Sequence, residues 1–168
     1  IDYQYGLNSA NKNDGNVYLK VNYKPISNLN VFVDLQGRTV SYRFLGFNDT
    51  LASKMQNQAY TFFNPKAGVS YDINSSLNVY ASFAMANKEP NRDDFVQSSP
   101  KSRPKPEQLI DIEAGIKYIR KKIDVAANLY NMQYTNQLVL NGQINNVGAY
   151  NRINVASSFR RGVELEVN

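Results

Sequence analysis

The stretch VYLKVNYKPISNLNVFVDLQGR, residues 17–38, reads as two strands joined by a tight turn. Val17, Leu19, Val21 and Tyr23 alternate with Tyr18, Lys20, Asn22 and Lys24, and a period of two puts each set on its own face of an extended chain. Residues 25–28 supply the turn, and Leu29, Val31, Val33 and Leu35 then alternate with Asn30, Phe32, Asp34, Gln36 and Arg38. This second run continues to about Phe44, longer than the roughly 9 to 11 residues that cross a bilayer at a tilt, so its end is expected to project beyond a membrane.

The same pattern recurs along the chain. Ala67, Val69, Tyr71 and Ile73 share a face, as do Leu77, Val79, Ala81, Phe83 and Met85, then Ile110, Ile112, Ala114, Ile116 and Tyr118, and then Ile123, Val125, Ala127 and Leu129. A last run carries Val163, Leu165 and Val167 against Glu164 and Glu166, while the register beyond Tyr130 is ambiguous because Met132 and Tyr134 sit on the nominally polar face. The expected fold is all-β, an antiparallel up-and-down meander of about seven or eight long strands.

Two features select among all-β classes. Connections alternate between short (25–28, 74–76, 120–122) and long (roughly 45–58, 87–106, 141–157), the asymmetry of outer-membrane barrels. Loops are expected at 46–58, 87–106, where four of the six prolines lie, and 141–152. The apolar faces also carry almost no charge, whereas the opposite faces carry Lys20, Asp34, Arg38, Lys66, Glu113, Lys117, Asp124, Glu164 and Glu166. A charge facing lipid near the midplane costs roughly 2 to 4 kcal/mol, so the charged side is assigned to the lumen. Tyr23, Tyr71 and Tyr118, beside the short turns on the apolar faces, are placed to form an aromatic girdle.

Composition agrees. Hydrophobic residues make up 42% of the 168, mean hydropathy is −0.49 and Tyr (12) outnumbers Phe (8), yet no run approaches the roughly 20 apolar residues of a spanning helix. There is no Cys and no His, which removes disulfides, thiolate metal sites, the commonest general base and the usual haem ligand. The net charge of +5 is dispersed, so no nucleic-acid partner is expected. Glu164 and Glu166 share a face but read as lumen-wall charges, and Asp93 and Asp94 lack the spaced ligands of a calcium loop. With no phosphate loop or nucleophile elbow, the chain is expected to be no enzyme and to need no metal or cofactor. Alternation is already under way at residues 1–7 and still running at 163–167, so residues 1–168 are expected to be one partial barrel domain of a longer protein.

Candidate binding residues are cationic. Arg38 and Arg43 lie toward the extracellular end of the second strand beside Tyr42, and Arg92, Lys101, Arg103, Lys105 and Arg152 lie in long connections. Such a group would attract an anionic metal chelate, because Arg offers fixed donors to carboxylate or catecholate oxygens; the alternative is solvated loop charge or pairing with lipopolysaccharide phosphates.

Residues 87–118, NKEPNRDDFVQSSPKSRPKPEQLIDIEAGIKY, resemble a recurring stretch of TonB-dependent outer-membrane receptors. In that family a strand ending like YASFAMANKEPN (80–91) leads through an extracellular loop to Lys-Pro-Glu, here Lys105, Pro106 and Glu107, and then to a strand such as 112–117. NPKAGVSYDI (64–73) before it and NVGAYNRINVASSFRRGVELEV (146–167) after it keep the family order. The chain departs where many members carry an Arg-Ala-Pro-like triplet, having Lys88, Glu89 and Pro90. The resemblance implies a section of a 22-stranded barrel in the outer membrane of a Gram-negative bacterium, with the plug, the signal peptide and the remaining strands outside this chain. It implies uptake of a scarce nutrient, foremost a ferric siderophore or other iron complex, with lipid around the wall and TonB acting through the plug. Two other expectations stand beside it: a complete barrel of about eight strands serving as adhesin or anchor, and a soluble sandwich binding ligand through its loops. Expressed alone, a section with open edges is expected to self-associate.

Overall fold

The computed structural model describes residues 9–46, 54–96, 98, 103–144 and 150–168. Seven strands form one antiparallel sheet in sequence order: β1 (Ala10–Ile26), β2 (Leu29–Gly46), β3 (Lys54–Asn74), β4 (Leu77–Lys88), β5 (Glu107–Arg120), β6 (Ile123–Ile144) and β7 (Tyr150–Val167). One short helix, α1 (Arg92–Val96), lies in the β4–β5 connection. The sheet is open, with β1 and β7 as its edges among the described residues, which does not match a closed eight-stranded barrel.

Registers settle the faces. Val31 pairs with Val69, Val69 with Ala81, Phe83 with Ile112 and Tyr118 with Val125, so the apolar residues of all these strands share one side. That side has no cover: Val17 is 77% exposed, Ile112 49% and Leu165 75%. Continuous pairing through Met132↔Arg160 and Tyr134↔Ser158 resolves the ambiguous end of β6 and puts Met132 and Tyr134 on the charged face.

The turns are as tight as expected, at residues 27–28, 75–76 and 121–122, and Lys121 adopts φ 51° in the last. Two expected loops, 46–58 and 141–152, are shorter than the sequence suggests. β3 already begins at Lys54, β6 runs to Ile144 and β7 starts at Tyr150, because strand pairing persists beyond the apolar zone, where alternation is no longer apolar against polar. The β4–β5 connection is only partly irregular. Asn91 caps α1: its side chain accepts from the Asp94 backbone N–H at 2.9 Å, and the Asp94 carboxylate accepts from the Asn91 N–H at 2.8 Å. The alternating residues 1–7 lie outside the described residues.

The apolar zone of the outer face ends in polar residues on every strand, at a position that steps along the register from β1 to β7, as the tilted strands of a barrel wall require. The uncharged run gives way to Thr39, Ser41 and Arg43 on β2, to Thr61 and Asn57 on β3, to Asn87 on β4 and to Gln108 on β5. On β6 and β7 it gives way to Asn131 and Arg161, which pair with each other, and on β1 to Asn13 and Asn11. At the other end Tyr23, Tyr71 and Tyr118 sit on the same outer face, each close to a turn.

On the charged face, three aromatic side chains lie across the strand that follows them. Phe32 covers Gly68, Tyr80 covers Gly115 and Tyr130 covers Gly162, each pair being directly opposite in register. A Cβ on any of these glycines would run into the aromatic side chain, so the missing side chain is what lets the ring lie flat. Tyr80 reaches over Gly115 to donate to Asn128 Oδ1 at 2.9 Å, tying β4 to β6.

Candidate ligand-facing mouth of the wall

The buried core of the described residues is at the end of the sheet away from the short turns, and on the charged face. Val40, Tyr42 and Phe44 of β2 enclose Phe95 of α1, with Tyr60 packed beside them. Phe95 is 2% exposed, and its ring lies 5.7 Å from Phe44 and 6.0 Å edge-on from Tyr42. The guanidinium of Arg103 sits over the same ring at 5.9 Å and donates to Gln56 Oε1 at 2.5 Å. Burying such a ring contributes roughly 1.5 to 3 kcal/mol, enough to fold a short helix inward that would not form alone.

Beside this core lies an ionic knot. Arg38 donates to both oxygens of Asp14 at 3.0 and 2.6 Å and to both oxygens of Glu89 at 2.9 and 3.0 Å, while Lys12 donates to Glu89 at 2.8 Å. Burial alone would push the Glu89 carboxyl upward, but the bonds from Lys12 and Arg38 hold it below the ordinary value. The Arg38 bond similarly holds Asp14 down, while burial, with Tyr60 and Glu89 nearby, pushes the Tyr42 hydroxyl up. Tyr42 therefore stays a neutral donor, and its hydroxyl bonds the Pro90 carbonyl.

The far side of the connection is held by exposed polar bonds. Arg152 on β7 reaches Asp94 at 3.4 Å, and Asn154 brackets the Lys105 backbone, accepting from its N–H at 2.8 Å and donating to its carbonyl at 3.0 Å. At the base, Asn64 accepts from both the backbone and the side chain of Asn87, at 2.9 and 3.0 Å. A cleft of about 470 Å³ remains between β1, β2 and the connection, lined by Lys12, Arg38, Tyr42, Lys88, Glu89 and Asn91 among others.

The predicted site residues thus have distinct places. Arg38 and Tyr42 are brought together, as knot and staple of the inward segment. Arg92 opens α1 and lies 3.4 Å from Asp93; Arg103, Lys105 and Arg152 all stand on the same segment or its anchor. Arg43 does not join them: an odd position on β2, it projects from the outer face and bonds Asn57 at 3.1 Å. Lys101 lies outside the described residues. Sequence reasoning missed Glu89 and Phe95, although the Asn91-x-x-Asp94 capping pattern marks the helix and the switch to Val40, Tyr42 and Phe44 on the charged face of β2 marks its seat.

An open meander with a bare apolar side, a charged inner side and an inward-folded connection is what a section of a large barrel requires. The family profile "TonB dependent receptor-like, beta-barrel" matches residues 2–168. The chain belongs to this family. Among solved structures, the copper transporter OprC superposes with a TM-score of 0.79 at 16% identity, covering 93% of this chain and 26% of its own. The ferric-catecholate import receptor Fiu from Escherichia coli K12 gives 0.71 at 16% identity, over 95% of this chain and 26% of its own. The FrpB iron transporter from Neisseria meningitidis gives 0.66 at 18% identity, over 93% and 23%. The chain therefore spans about a quarter of the length of these structures. No curated protein matches it in sequence. It forms part of the wall of a 22-stranded transmembrane barrel, with the uncharged side toward lipid and the charged side toward the lumen.

Proposed function

We propose that this chain is the wall section of an outer-membrane receptor that imports a scarce nutrient, an iron complex before others, and that it is not an enzyme. The observation that carries this reading is the inward-folded β4–β5 connection, which brings α1 and the polar residues around it to the lumen mouth of a family barrel. Iron is the cargo named for two of the similar structures and copper for the third. Arg92, Arg103, Lys105 and Arg152 form the proposed ligand-facing rim. Arg38 and Tyr42 act on a ligand through the segment they hold, and Arg43, on the exterior, is left to the outer-leaflet headgroups. The partners are outer-membrane lipid, a small anionic chelate and TonB through the plug, in a Gram-negative cell.

The test is growth of an iron-starved deletion strain of the source bacterium, complemented with the full receptor gene. Growth on a ferric catecholate or ferric hydroxamate should depend on the gene and on the proton-motive force. Equal growth with and without the gene on every iron complex, combined with gene-dependent accumulation of copper, would replace iron by copper.

A further inference from the structure

The described parts of the β4–β5 connection form a chord across the concave side of the wall. Phe95 is seated on β2, its neighbour Asp94 pairs with Arg152 on β7, and Lys105 is bracketed by Asn154 on β7. Ahead of these anchors in the chain, the Tyr42–Pro90 bond and the contacts of Glu89 with Arg38 and Lys12 tie the segment to β1 and β2. A segment that moves with its ligand is drawn from the weakly held parts of a fold, with few apolar contacts and exposed hydrogen bonds. Residues 89–95 have the reverse on the β2 side, with a buried aromatic anchor, a buried proline and part-buried charge-assisted bonds from Arg38 to Glu89, while the bonds to Arg152 and Asn154 on β7 are exposed ties.

We propose that residues 89–96 of this connection are a fixed inner rim of the channel mouth, which narrows the passage in this sector and sets the bulk of the ligand admitted, and that Phe95 is its positioning residue. The rim stays in place when ligand arrives, so closure around the ligand belongs to other parts of the mouth. The size-filter part of the proposal rests on the uptake function proposed above, whereas the docked state does not.

The experiment uses the full-length receptor in native outer-membrane vesicles, with a nitroxide attached through Asp93→Cys, a side chain 71% exposed and beside the anchor. The label should be immobilised in the resting receptor and stay so when a ferric tricatecholate or a ferric trihydroxamate is added. Phe95→Ala, in a barrel that still shows heat-modifiable migration, should raise the mobile fraction on the order of tenfold or more. It should also increase uptake of the bulkier chelate relative to the smaller, while Phe95→Leu restores most of both behaviours. A mobile label at rest, a label freed by either chelate, or a size preference unchanged by Phe95→Ala in a receptor that transports both would overturn the proposal. If no variant transports either chelate, the iron reading fails, and the spectra alone decide whether the rim is docked.

Discussion

Below the level of Arg38, β2 carries Leu29, Val31, Val33 and Leu35 toward lipid and Asn30, Asp34 and Gln36 toward the lumen; above it the order reverses. There Thr39, Ser41 and Arg43 face outward, while Val40, Tyr42 and Phe44 face inward and are buried. One strand thus solves two solvation problems in sequence. Within the bilayer hydrocarbon covers the apolar side, and beyond it water covers the outside, so apolar residues must turn inward and need a protein partner, which α1 supplies. An inversion of amphipathicity along an unbroken strand therefore marks both the membrane surface and the seat of a folded-in loop.

The most damaging break of this comparison is a charge on the wrong side of the inversion. Val33→Arg should destabilise the full barrel in lipid vesicles by about 2 to 4 kcal/mol, whereas Thr39→Arg, on the same face above the boundary, should cost about 1 kcal/mol or less, both read from urea unfolding. Equal costs would mean that the boundary is misplaced. Next in size is Gly115→Ala, whose Cβ would meet the Tyr80 ring at 2.5 Å; about 1 to 3 kcal/mol is expected. Tyr80→Ser should recover most of that loss, and Gly37→Ala, with nothing within 4 Å, should be nearly neutral.

The smallest effect belongs to the ionic knot. Because its partners hold the Glu89 carboxyl below the ordinary value, its contribution is complete above the usual carboxylate range and fades as pH falls through the depressed value. Acidification should therefore loosen the connection by about 1 kcal/mol, seen as faster proteolysis near α1. Glu89→Gln should be loosened already at neutral pH and lose this pH dependence. Persistence of the same acid response in that variant would assign it to another group.

Much of this was legible in the chain. Alternation and the exclusion of charge from one face fix the meander and its polarity, since each strand of the spanning zone must obey one rule set by hydrocarbon. The rule lapses outside that zone, which explains why residues 54–58 and 150–152 read as loop although they pair as strand. Arg43 was separable from Arg38 and Tyr42 by parity alone. Phe95 was not legible: a lone aromatic in a proline-rich segment has no period, and its partners are roughly 50 residues away in sequence on β2. The departure from the family triplet at Lys88, Glu89 and Pro90 falls where Glu89 enters the knot and Pro90 accepts from Tyr42, which gives it a physical content that sequence comparison does not supply.

The positions at which seven strands change from apolar to polar on the outside act as a draught line for the hull. Sinking far enough to carry Arg161 or Arg43 below it would put charge into hydrocarbon, and rising would lift the lowest tyrosines away from the headgroups of the other leaflet. Because every strand carries its own mark and is bonded in register to its neighbours, none can slide alone to relieve a mismatch, and a thinner or thicker bilayer has to deform around the wall.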